Sequence, residues 1–200
     1  MSFSPLVQQL IESLRCLPGV GPKSAQRMAF YLLQHQPKKA DHLCKTLERA
    51  LALVGRCQLC RTLTEEPFCT LCRSDKRDRQ LLCIVEHPSD ILAIEQTASY
   101  RGLYFVLTGH LSPIDGIGPE QIGIPILMQY LQTHSIREII LALNPTVEGQ
   151  TTAHFIASKA KTFCTKITRL AQGIPMGSEL EYTDGNTLAH ALMDRTIIES

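Results

Sequence analysis

Two closely spaced cysteine pairs constrain this chain more than any other feature of its sequence. Cys57-Gln-Leu-Cys60 is followed, after eight intervening residues, by Cys69-Thr-Leu-Cys72. Each C-x-x-C turn brings two thiolates to one ion, and the second turn completes a tetrahedron, which is the pattern of a zinc ribbon or finger. The alternative is that these cysteines form two disulfides or are unrelated buried thiols. The double spacing favours zinc.

A site of four sulfur ligands leaves no open position for water, so we expect a structural ion and not a catalytic one. Segment 57–72 contains few large apolar side chains, too few to form a core. Metal binding is therefore expected to supply much of the folding free energy of this segment. The sequence predicts one structural Zn²⁺ per chain.

The length and composition are those of an ordinary globular protein. The chain has 200 residues, of which 44% are hydrophobic, enough for one large domain or two smaller ones. Its first residues lack the charged start and apolar run of a signal peptide, and no apolar stretch approaches the roughly 18 residues that span a membrane. We therefore expect a cytoplasmic protein that binds no membrane. The other cysteines are expected to be buried thiols: Cys16, Cys44, Cys83 and Cys164.

The net charge of +1 conceals an asymmetry between the two parts of the chain. Residues 1–80 contain 13 Lys and Arg against 7 Asp and Glu, whereas residues 81–200 contain 7 against 12. A basic front part joined to an acidic rear part indicates an anionic partner for the front part, such as nucleic acid. The excess is modest, and many solvated protein surfaces have a similar balance.

A glycine turn in the basic part has the composition of a phosphate-binding site. Within residues 17–27, Gly19 and Gly21 permit a tight turn whose backbone can approach a ligand closely. The proline that follows suits the first position of a new helix, so the turn directs free N–H groups and a positive dipole end to one place. Lys23 and Arg27 lie four residues apart, on one face of that helix.

This arrangement is the pattern of a helix-hairpin-helix motif, and it resembles the motifs that grip the DNA backbone without reading its sequence. The alternative is an ordinary helical hairpin with a glycine turn. Because P-G-x-G-x-K and a second cation exceed what a turn requires, the phosphate-binding interpretation is favoured. We predict that Gly19, Gly21, Lys23 and Arg27 bind DNA.

Apolar residues at helical spacing predict three helices in the front part, over residues 5–16, 22–35 and 40–54. The stretch 73–79 alternates in charge and is predicted to be an exposed connector. The third helix is expected to bury Leu43, Leu47, Ala50, Leu51 and Val54.

From residue 81 the pattern changes to apolar runs that alternate with segments of helical spacing. Such runs, bounded by polar residues, indicate buried parallel strands. The alternation of strands with helices predicts an α/β layer with a mostly parallel sheet. The expected strands cover 81–85, 102–107, 139–143 and 167–171; helices are expected over 123–132 and 153–163, and a closing helix over 187–197 after a loop at 173–182.

Acidic residues follow the first of these strands. Ligands of open α/β sheets bind beyond the C-terminal ends of the strands, where Glu86 lies, with Asp90 one turn further on. This resembles the Toprim fold of topoisomerases and primases, in which a Glu after the first strand and an Asp-x-Asp pair after the third hold Mg²⁺. Glu86 matches that pattern, but Asn144 and Thr146 stand where the two acids are expected.

Loss of two carboxylates weakens the binding of a hard cation severely, so we expect a Toprim scaffold without a catalytic metal and without enzyme activity. The histidines, His110 among them, are isolated in the sequence and indicate neither a triad nor a metal cage.

The order of helix-hairpin-helix, four-cysteine site, degraded Toprim domain and Gly/Pro-rich tail is distinctive. Together with several longer motifs, it resembles the RecR family of bacterial recombination mediators over essentially the whole chain. These motifs lie at 17–27, 84–86, 100–104, 112–119, 143–149 and 173–182.

The resemblance implies a non-enzymatic DNA-repair protein, associated with the nucleoid, that binds single-stranded and double-stranded DNA regardless of sequence. It implies a homo-oligomer, a ring-shaped tetramer with a dimer as the alternative, that encircles DNA and works with RecO and RecF to load RecA at single-strand gaps. Lys23 and Arg27 then face DNA inside the ring. Glu86, Asp90 and Glu148 form a vestigial or partner-binding acidic site that can dock a basic partner such as RecO.

Two positions depart from the family pattern. Cys16 stands where a basic residue is expected, and Gln150 where an acid is usual. These two departures affect the expected details of how the chain contacts DNA and its partner proteins.

The chain is therefore predicted to be an α+β multi-domain protein. The predicted segments are a helix-hairpin-helix region (1–56), a four-cysteine zinc finger (57–72), a Toprim domain (80–172) and a C-terminal tail with a helix (173–200). Two other functions stay open on the sequence: a Mg²⁺-dependent Toprim nuclease or primase-like enzyme, and a zinc-stabilised adaptor that binds only proteins.

Overall fold

The computed structural model describes residues 3–164, 166–171, 173–193 and 195. The chain divides into two units, of which the first ends at Val54 and the second begins at Gly55. Within the described part, no helix is long and apolar enough to cross a membrane.

Three helices make up the first unit, and each begins with a proline. They are α1 (Pro5–Leu14), α2 (Pro22–His35) and α3 (Pro37–Leu53). Proline suits the first position of a helix because its missing N–H has no intrahelical partner there. The Ser4 hydroxyl caps α1 by accepting a hydrogen bond from the Val7 N–H at 3.4 Å.

A small apolar core joins α1 to α2. Ile11 packs against Ala25 and Ala29, whose short side chains let the two helices approach closely. Partly buried residues complete this cluster: Val7, Leu10, Leu14 and Val20.

The expectation that the third helix buries its apolar face is wrong. No residue of α3 is buried, and Leu43, Leu47 and Leu51 are 53%, 57% and 79% exposed. Helical periodicity identifies an apolar face but does not identify what covers it, and the core of the first unit is filled by α1 and α2. An uncovered leucine face of this size is unusual for a monomer.

The second unit opens with the cysteine segment. Two short strands, β1 (Gly55–Arg56) and β2 (Leu63–Thr64), pair antiparallel, and a one-turn helix, α4 (Thr70–Arg73), follows. The loop of this β-hairpin carries the first cysteine pair; of the second pair, Cys69 precedes α4 and Cys72 lies within it.

A parallel sheet of four strands forms the centre of this unit, as the sequence predicts. Its order is β4-β3-β5-β6, so β4 and β6 are the edge strands. The bounds are β3 (Asp78–Val85), β4 (Gly102–Val106), β5 (Glu138–Ala142) and β6 (Lys166–Arg169).

Helices cover both faces of the sheet; they are α5 (Pro88–Gln96), α6 (Pro119–Ile122), α7 (Ile124–Thr133) and α8 (Val147–Ala160). On one face, Leu82 and Ile84 belong to a core that includes residues of α7 and α8. On the other face, Cys83 and Val85 pack in a cluster with Ile91 and the four cysteines.

Several element boundaries differ from those expected, and two of the differences bear on the site. The stretch 73–79 is not wholly an exposed connector, because β3 begins at Asp78 and the Arg77 side chain is only 12% exposed. Arg77 forms an ion pair with Glu95, donates to the Gly102 carbonyl at 3.2 Å, and lowers the pKa of the Glu95 carboxyl. Because Arg77 and Glu95 are 18 residues apart, no local sequence pattern indicates their salt bridge.

Helix α8 begins six residues before the expected helix at 153–163. The Thr146 side chain caps it by accepting a hydrogen bond from the Gly149 N–H at 3.1 Å. The start of α8 lies close to the C-terminal ends of β3 and β5, since a Cβ at Gly149 would lie 3.2 Å from Oε1 of Glu86.

The tail contains a 3₁₀ turn (Leu180–Tyr182) and helix α9 (Gly185–Met193). The end of the expected closing helix, residues 196–197, lies outside the described residues. Of the remaining cysteines, Cys83 and Cys164 are buried as expected, whereas Cys16 and Cys44 are exposed.

Candidate metal centre and nucleic-acid interface

The fold brings the four predicted metal ligands together. Cys57 follows β1, Cys60 lies in the turn after it, Cys69 is the N-cap of α4, and Cys72 lies within α4. Their Sγ atoms all lie within 4.8 Å of one another, and the four residues are buried. Within the described residues, this is the only group of three or more Cys, His, Asp or Glu side chains arranged to hold a metal.

The donor set fits a tetrahedral zinc ion. A Zn–S distance of about 2.3 Å places ligand sulfurs about 3.8 Å apart, and the Sγ atoms of Cys60 and Cys69 are separated by 3.5 Å. The backbone N–H of Cys69 donates to Sγ of Cys57 at 3.3 Å, an interaction that stabilises a thiolate.

The electrostatics of the cluster also call for a cation. The pKa of the Cys60 thiol is lowered to about 6, chiefly because the Cys72 side chain hydrogen-bonds to it. That same hydrogen bond, with burial and the neighbouring negative charges, raises the pKa of Cys72. The first thiolate therefore forms readily and opposes ionisation of the others, so four thiolates require a positive charge among them.

The cysteine segment is fastened to the edge of the parallel sheet. The Cys60 carbonyl accepts a hydrogen bond from the Val106 N–H of β4 at 2.9 Å. Arg61, with a φ of 64°, donates to the Ile122 carbonyl at 3.0 Å and lies over the Phe105 ring, 5.5 Å from its centroid. A Cβ at Gly123 would collide with this guanidinium. The metal loop thus covers an otherwise open strand edge.

In the first unit, the glycine turn has the geometry that the hairpin hypothesis requires. Gly19 has a φ of +76°, in the left-handed region that favours glycine, and Gly21 is the N-cap of α2. A Cβ at either position would meet nothing within 4 Å, so the approach to this turn is open. Glycine has no side chain that could cap the helix, and the first N–H groups of α2 have no intrahelical acceptor.

The two predicted cations lie beside that helix start. Lys23 and Arg27 are both exposed and line the same surface cavity of about 430 Å³. Helix α2 contains no Asp or Glu, so no acid on the helix offsets their charge or the positive end of its dipole. The local charge is therefore suited to an anionic ligand.

At the sheet, Glu86 is buried, with 1% of its surface exposed, and its oxygens are engaged. Oε1 accepts from the Asn144 backbone N–H at 2.7 Å, and Oε2 accepts from the Asn144 Nδ2 amide at 2.8 Å. His110 Nδ1 lies 3.3 Å from Oε2. A Cβ at Gly149 would lie 2.0 Å from the Asn144 carbonyl oxygen, so the start of α8 closes the site from behind.

The other two acids of the predicted site are placed differently. Asp90 accepts a hydrogen bond from the His87 N–H at 2.8 Å and thereby caps α5. Glu148 lies in the first turn of α8 and is half-buried. Glu86, Asp90 and Glu148 do not form a group able to hold a metal within the described residues.

Sequence reasoning missed two participants in this site. The sequence identifies Asn144 only as a replaced acid, yet it donates two hydrogen bonds that hold Glu86. His110 is isolated in the sequence, yet it reaches Glu86 from the loop after β4. Parallel strands that end at one edge bring such residues together, which sequence spacing does not reveal.

The fold and these sites define a Toprim-containing protein with a helix-hairpin-helix unit and a four-cysteine metal centre. Family models agree: "Toprim domain" matches residues 80–171, "RecR, helix-hairpin-helix" matches residues 7–51, and "RecR, C-terminal" matches residues 173–196.

Curated relatives extend this similarity over nearly the whole chain. The chain is 54% identical over 198 residues to "Recombination protein RecR" of Coxiella burnetii, covering 98% of each chain. Proteins of the same name from Saccharophagus degradans and Legionella pneumophila strain Corby are 55% and 53% identical, each covering 96% of this chain and 98% of the relative. This chain belongs to the RecR family of recombination proteins.

Substitution of one ligand is expected to empty the metal centre. Cys57→Ser lowers the zinc content well below the roughly one ion per chain expected of the parent protein, and the second unit melts at a lower temperature because metal binding contributes to its folding. Elemental analysis and thermal unfolding measure both effects. Cys16→Ser, which alters an exposed cysteine of the first unit, is the control and retains zinc. A metal-free parent protein that is fully folded contradicts the assignment.

Substitution of Glu86 is expected to destabilise the second unit. In Glu86→Gln, an amide NH₂ replaces one acceptor oxygen and faces an Asn144 donor, which costs about 1–3 kcal/mol of unfolding free energy. Urea denaturation measures this cost. Glu66→Gln, at an exposed position of the same unit, changes stability by less than about 0.5 kcal/mol. Equal stability of the two variants would show that the Glu86 hydrogen bonds contribute little.

Proposed function

We propose that this protein is a non-catalytic recombination mediator of DNA repair that binds DNA through its helix-hairpin-helix unit. The observation that carries the proposal is the start of α2, where an open glycine turn, free amides and the exposed cations Lys23 and Arg27 converge. Phosphates of the DNA backbone are the ligands that free helix amides and neighbouring cations bind.

Binding of this kind is independent of base sequence. Backbone amides and two cations recognise phosphates, which carry no sequence information. Neutralising phosphates releases counterions, so the affinity falls as salt rises. Both single-stranded and double-stranded DNA present the required phosphates.

The Toprim domain acts in this proposal as a scaffold. Glu86 is buried and its oxygens accept hydrogen bonds from Asn144, which makes it a structural tie between β3 and the loop after β5. A two-carboxylate Mg²⁺ site would need acids where Asn144 and Thr146 stand. The second candidate, a Mg²⁺-dependent nuclease, requires DNA cleavage by the pure protein that disappears in Glu86→Gln.

The four cysteines would hold one structural Zn²⁺. When bound, the ion neutralises the thiolates and fixes the segment that covers β4. Cys60 and Arg61 then hold this segment to the sheet through the Val106 amide and the Ile122 carbonyl.

We further propose that copies of this chain assemble through α3, as a tetramer or a dimer. The exposed leucines Leu43, Leu47 and Leu51 lie at i, i+4 and i+8 on one face of the helix and form an apolar stripe. In an oligomer, several modest hairpin sites bind one DNA molecule, and their effects combine through effective concentration. A closed ring of this kind would act as a clamp on DNA.

Membership of the RecR family supports a finer role, which is part of this proposal. The clamp would work in the cytoplasm, at the nucleoid, with RecO and RecF to load RecA at single-strand gaps. Of the three predicted acids, the half-buried Glu148 in the first turn of α8 is the one proposed to contact a basic partner such as RecO. Glu86 is buried and Asp90 caps α5, so neither presents a free carboxylate for docking.

Removal of both cations tests the DNA site. Lys23→Ala/Arg27→Ala weakens binding to single-stranded and double-stranded DNA about tenfold or more. The slope of log affinity against log salt falls by about one for each phosphate contact that is lost. Fluorescence anisotropy with labelled DNA over a salt series measures both quantities.

The control for this test removes equal charge from the same unit. Lys38→Ala/Lys39→Ala alters two exposed lysines at the start of α3 and leaves the affinity within about twofold, because these lysines are outside the hairpin. If the two double variants lose the same affinity, the contact is a diffuse charge effect and the hairpin site is wrong.

A single charge on the α3 stripe tests the assembly. Leu47→Glu places a carboxylate in an apolar contact, where an unpaired charge is costly, so the solution mass falls to that of a smaller species. Analytical ultracentrifugation measures the mass. Glu48→Ala, which alters a neighbouring exposed residue outside the stripe, leaves the mass unchanged. A parent protein that is already monomeric at micromolar concentration overturns this part of the proposal.

A further inference from the structure

The cavity on α2 extends past the two cations into an aromatic region. Besides Lys23 and Arg27, it is lined by Phe30, Tyr31 and His35. Phosphate binding at the start of the helix explains the cations but gives no role to the aromatic part.

Tyr31 presents its ring to solvent. The residue is 52% exposed, although α2 has two buried alanines on its core-facing side. The ring of His35 lies 5.8 Å from that of Tyr31, centroid to centroid, at an interplanar angle of 44°. The two rings form an open pair on the surface of the helix.

Phe30 is held in place from behind. Its ring and the Phe3 ring lie 5.1 Å apart, centroid to centroid, at an angle of 72°, a favourable edge-to-face contact. Phe30 is thus the partly buried aromatic residue of the cavity, whereas the aromatic rings of Tyr31 and His35 are exposed.

The cations and the aromatic rings share one side of the helix in a definite order. Lys23, Arg27, Tyr31 and His35 follow at intervals of four residues, which places successive side chains above one another with a slow drift around the helix. The distance from Lys23 to Tyr31 along the axis is about 12 Å, or a few nucleotides of a single strand.

We propose that Tyr31, with His35 beside it, stacks against an unpaired base of single-stranded DNA whose backbone phosphate is held at Lys23 and Arg27. This inference rests on the proposed DNA-binding function and adds to it a means of distinguishing single strands. Each base has a flat apolar face that an aromatic ring can cover, whatever its sequence.

The charge of α2 favours a nucleic acid over an apolar protein surface as the ligand of this cavity. Helix α2 has no acidic residue, and the aromatic pair is continuous with two cations in one cavity. A nucleotide offers both an anion and an aromatic face, so it matches both halves of the cavity. In a duplex the faces of the bases are covered by neighbouring bases, so stacking by Tyr31 adds no affinity for double-stranded DNA.

The test compares single-stranded with double-stranded DNA. Tyr31→Ala is expected to weaken binding to oligothymidylate about fivefold or more, while binding to a duplex of equal length changes less than about twofold. Tyr31→Phe keeps the ring and retains the affinity. Leu33→Ala removes another side chain of α2, 50% exposed but outside the cavity, and changes neither affinity.

An abasic oligonucleotide separates stacking from charge. It retains the phosphates and lacks the bases, so Tyr31→Ala and the parent protein bind it equally. The chain contains no tryptophan, so Tyr31→Trp introduces a single indole; its fluorescence is expected to be quenched by oligothymidylate and not by the abasic strand.

The outcomes distinguish this inference from the function on which it rests. If Tyr31→Ala leaves oligothymidylate binding intact while Lys23→Ala/Arg27→Ala still weakens it, the stacking role is wrong and the phosphate site stands. If neither variant alters binding, the proposed DNA site itself fails. Equal losses for single-stranded, duplex and abasic DNA, or a changed solution mass, would place Tyr31 in a protein contact and overturn the stacking role.

Discussion

A buried carboxylate just after β3 holds together the C-terminal ends of β3 and β5. Glu86 accepts two hydrogen bonds from Asn144, so the end of β3 is joined to the loop that follows β5. Gly149 leaves no room behind this pair, and α8 is therefore held against it. A removed partner would leave a buried, unpaired charge, which the fold tolerates poorly. The position at which a Toprim enzyme would hold its metal is here a structural joint.

The proposed phosphate-binding groups lie in the other unit. The glycine turn and α2 combine unpaired amides, exposed cations and an absence of acids on the helix. The cysteine cluster serves stability instead: it holds a segment with little core of its own against β4. In the proposed function, DNA binding, the scaffold role and the metal-stabilised segment therefore belong to different parts of the chain.

The sequence predicts the features that depend on local pattern. The cysteine spacing identifies the metal cluster, the apolar runs identify four parallel strands, and the glycine turn identifies the start of α2. It does not predict features that depend on distant partners. The ion pair of Arg77 with Glu95 and the bonds of Asn144 to Glu86 join residues on separate elements of the fold. The leucines of α3 show the same limit, because an apolar stripe does not identify what covers it.

Hydrogen–deuterium exchange of the whole protein, with and without DNA in the presence of Mg²⁺, tests this division of roles most directly. DNA bound at the hairpin slows exchange of the amides around Gly21 and Lys23 and leaves the segments at Glu86 and Asn144 unchanged. Protection confined to the segments at Glu86 and Asn144, with none around Gly21, would place the DNA on the Toprim domain and contradict the assignment.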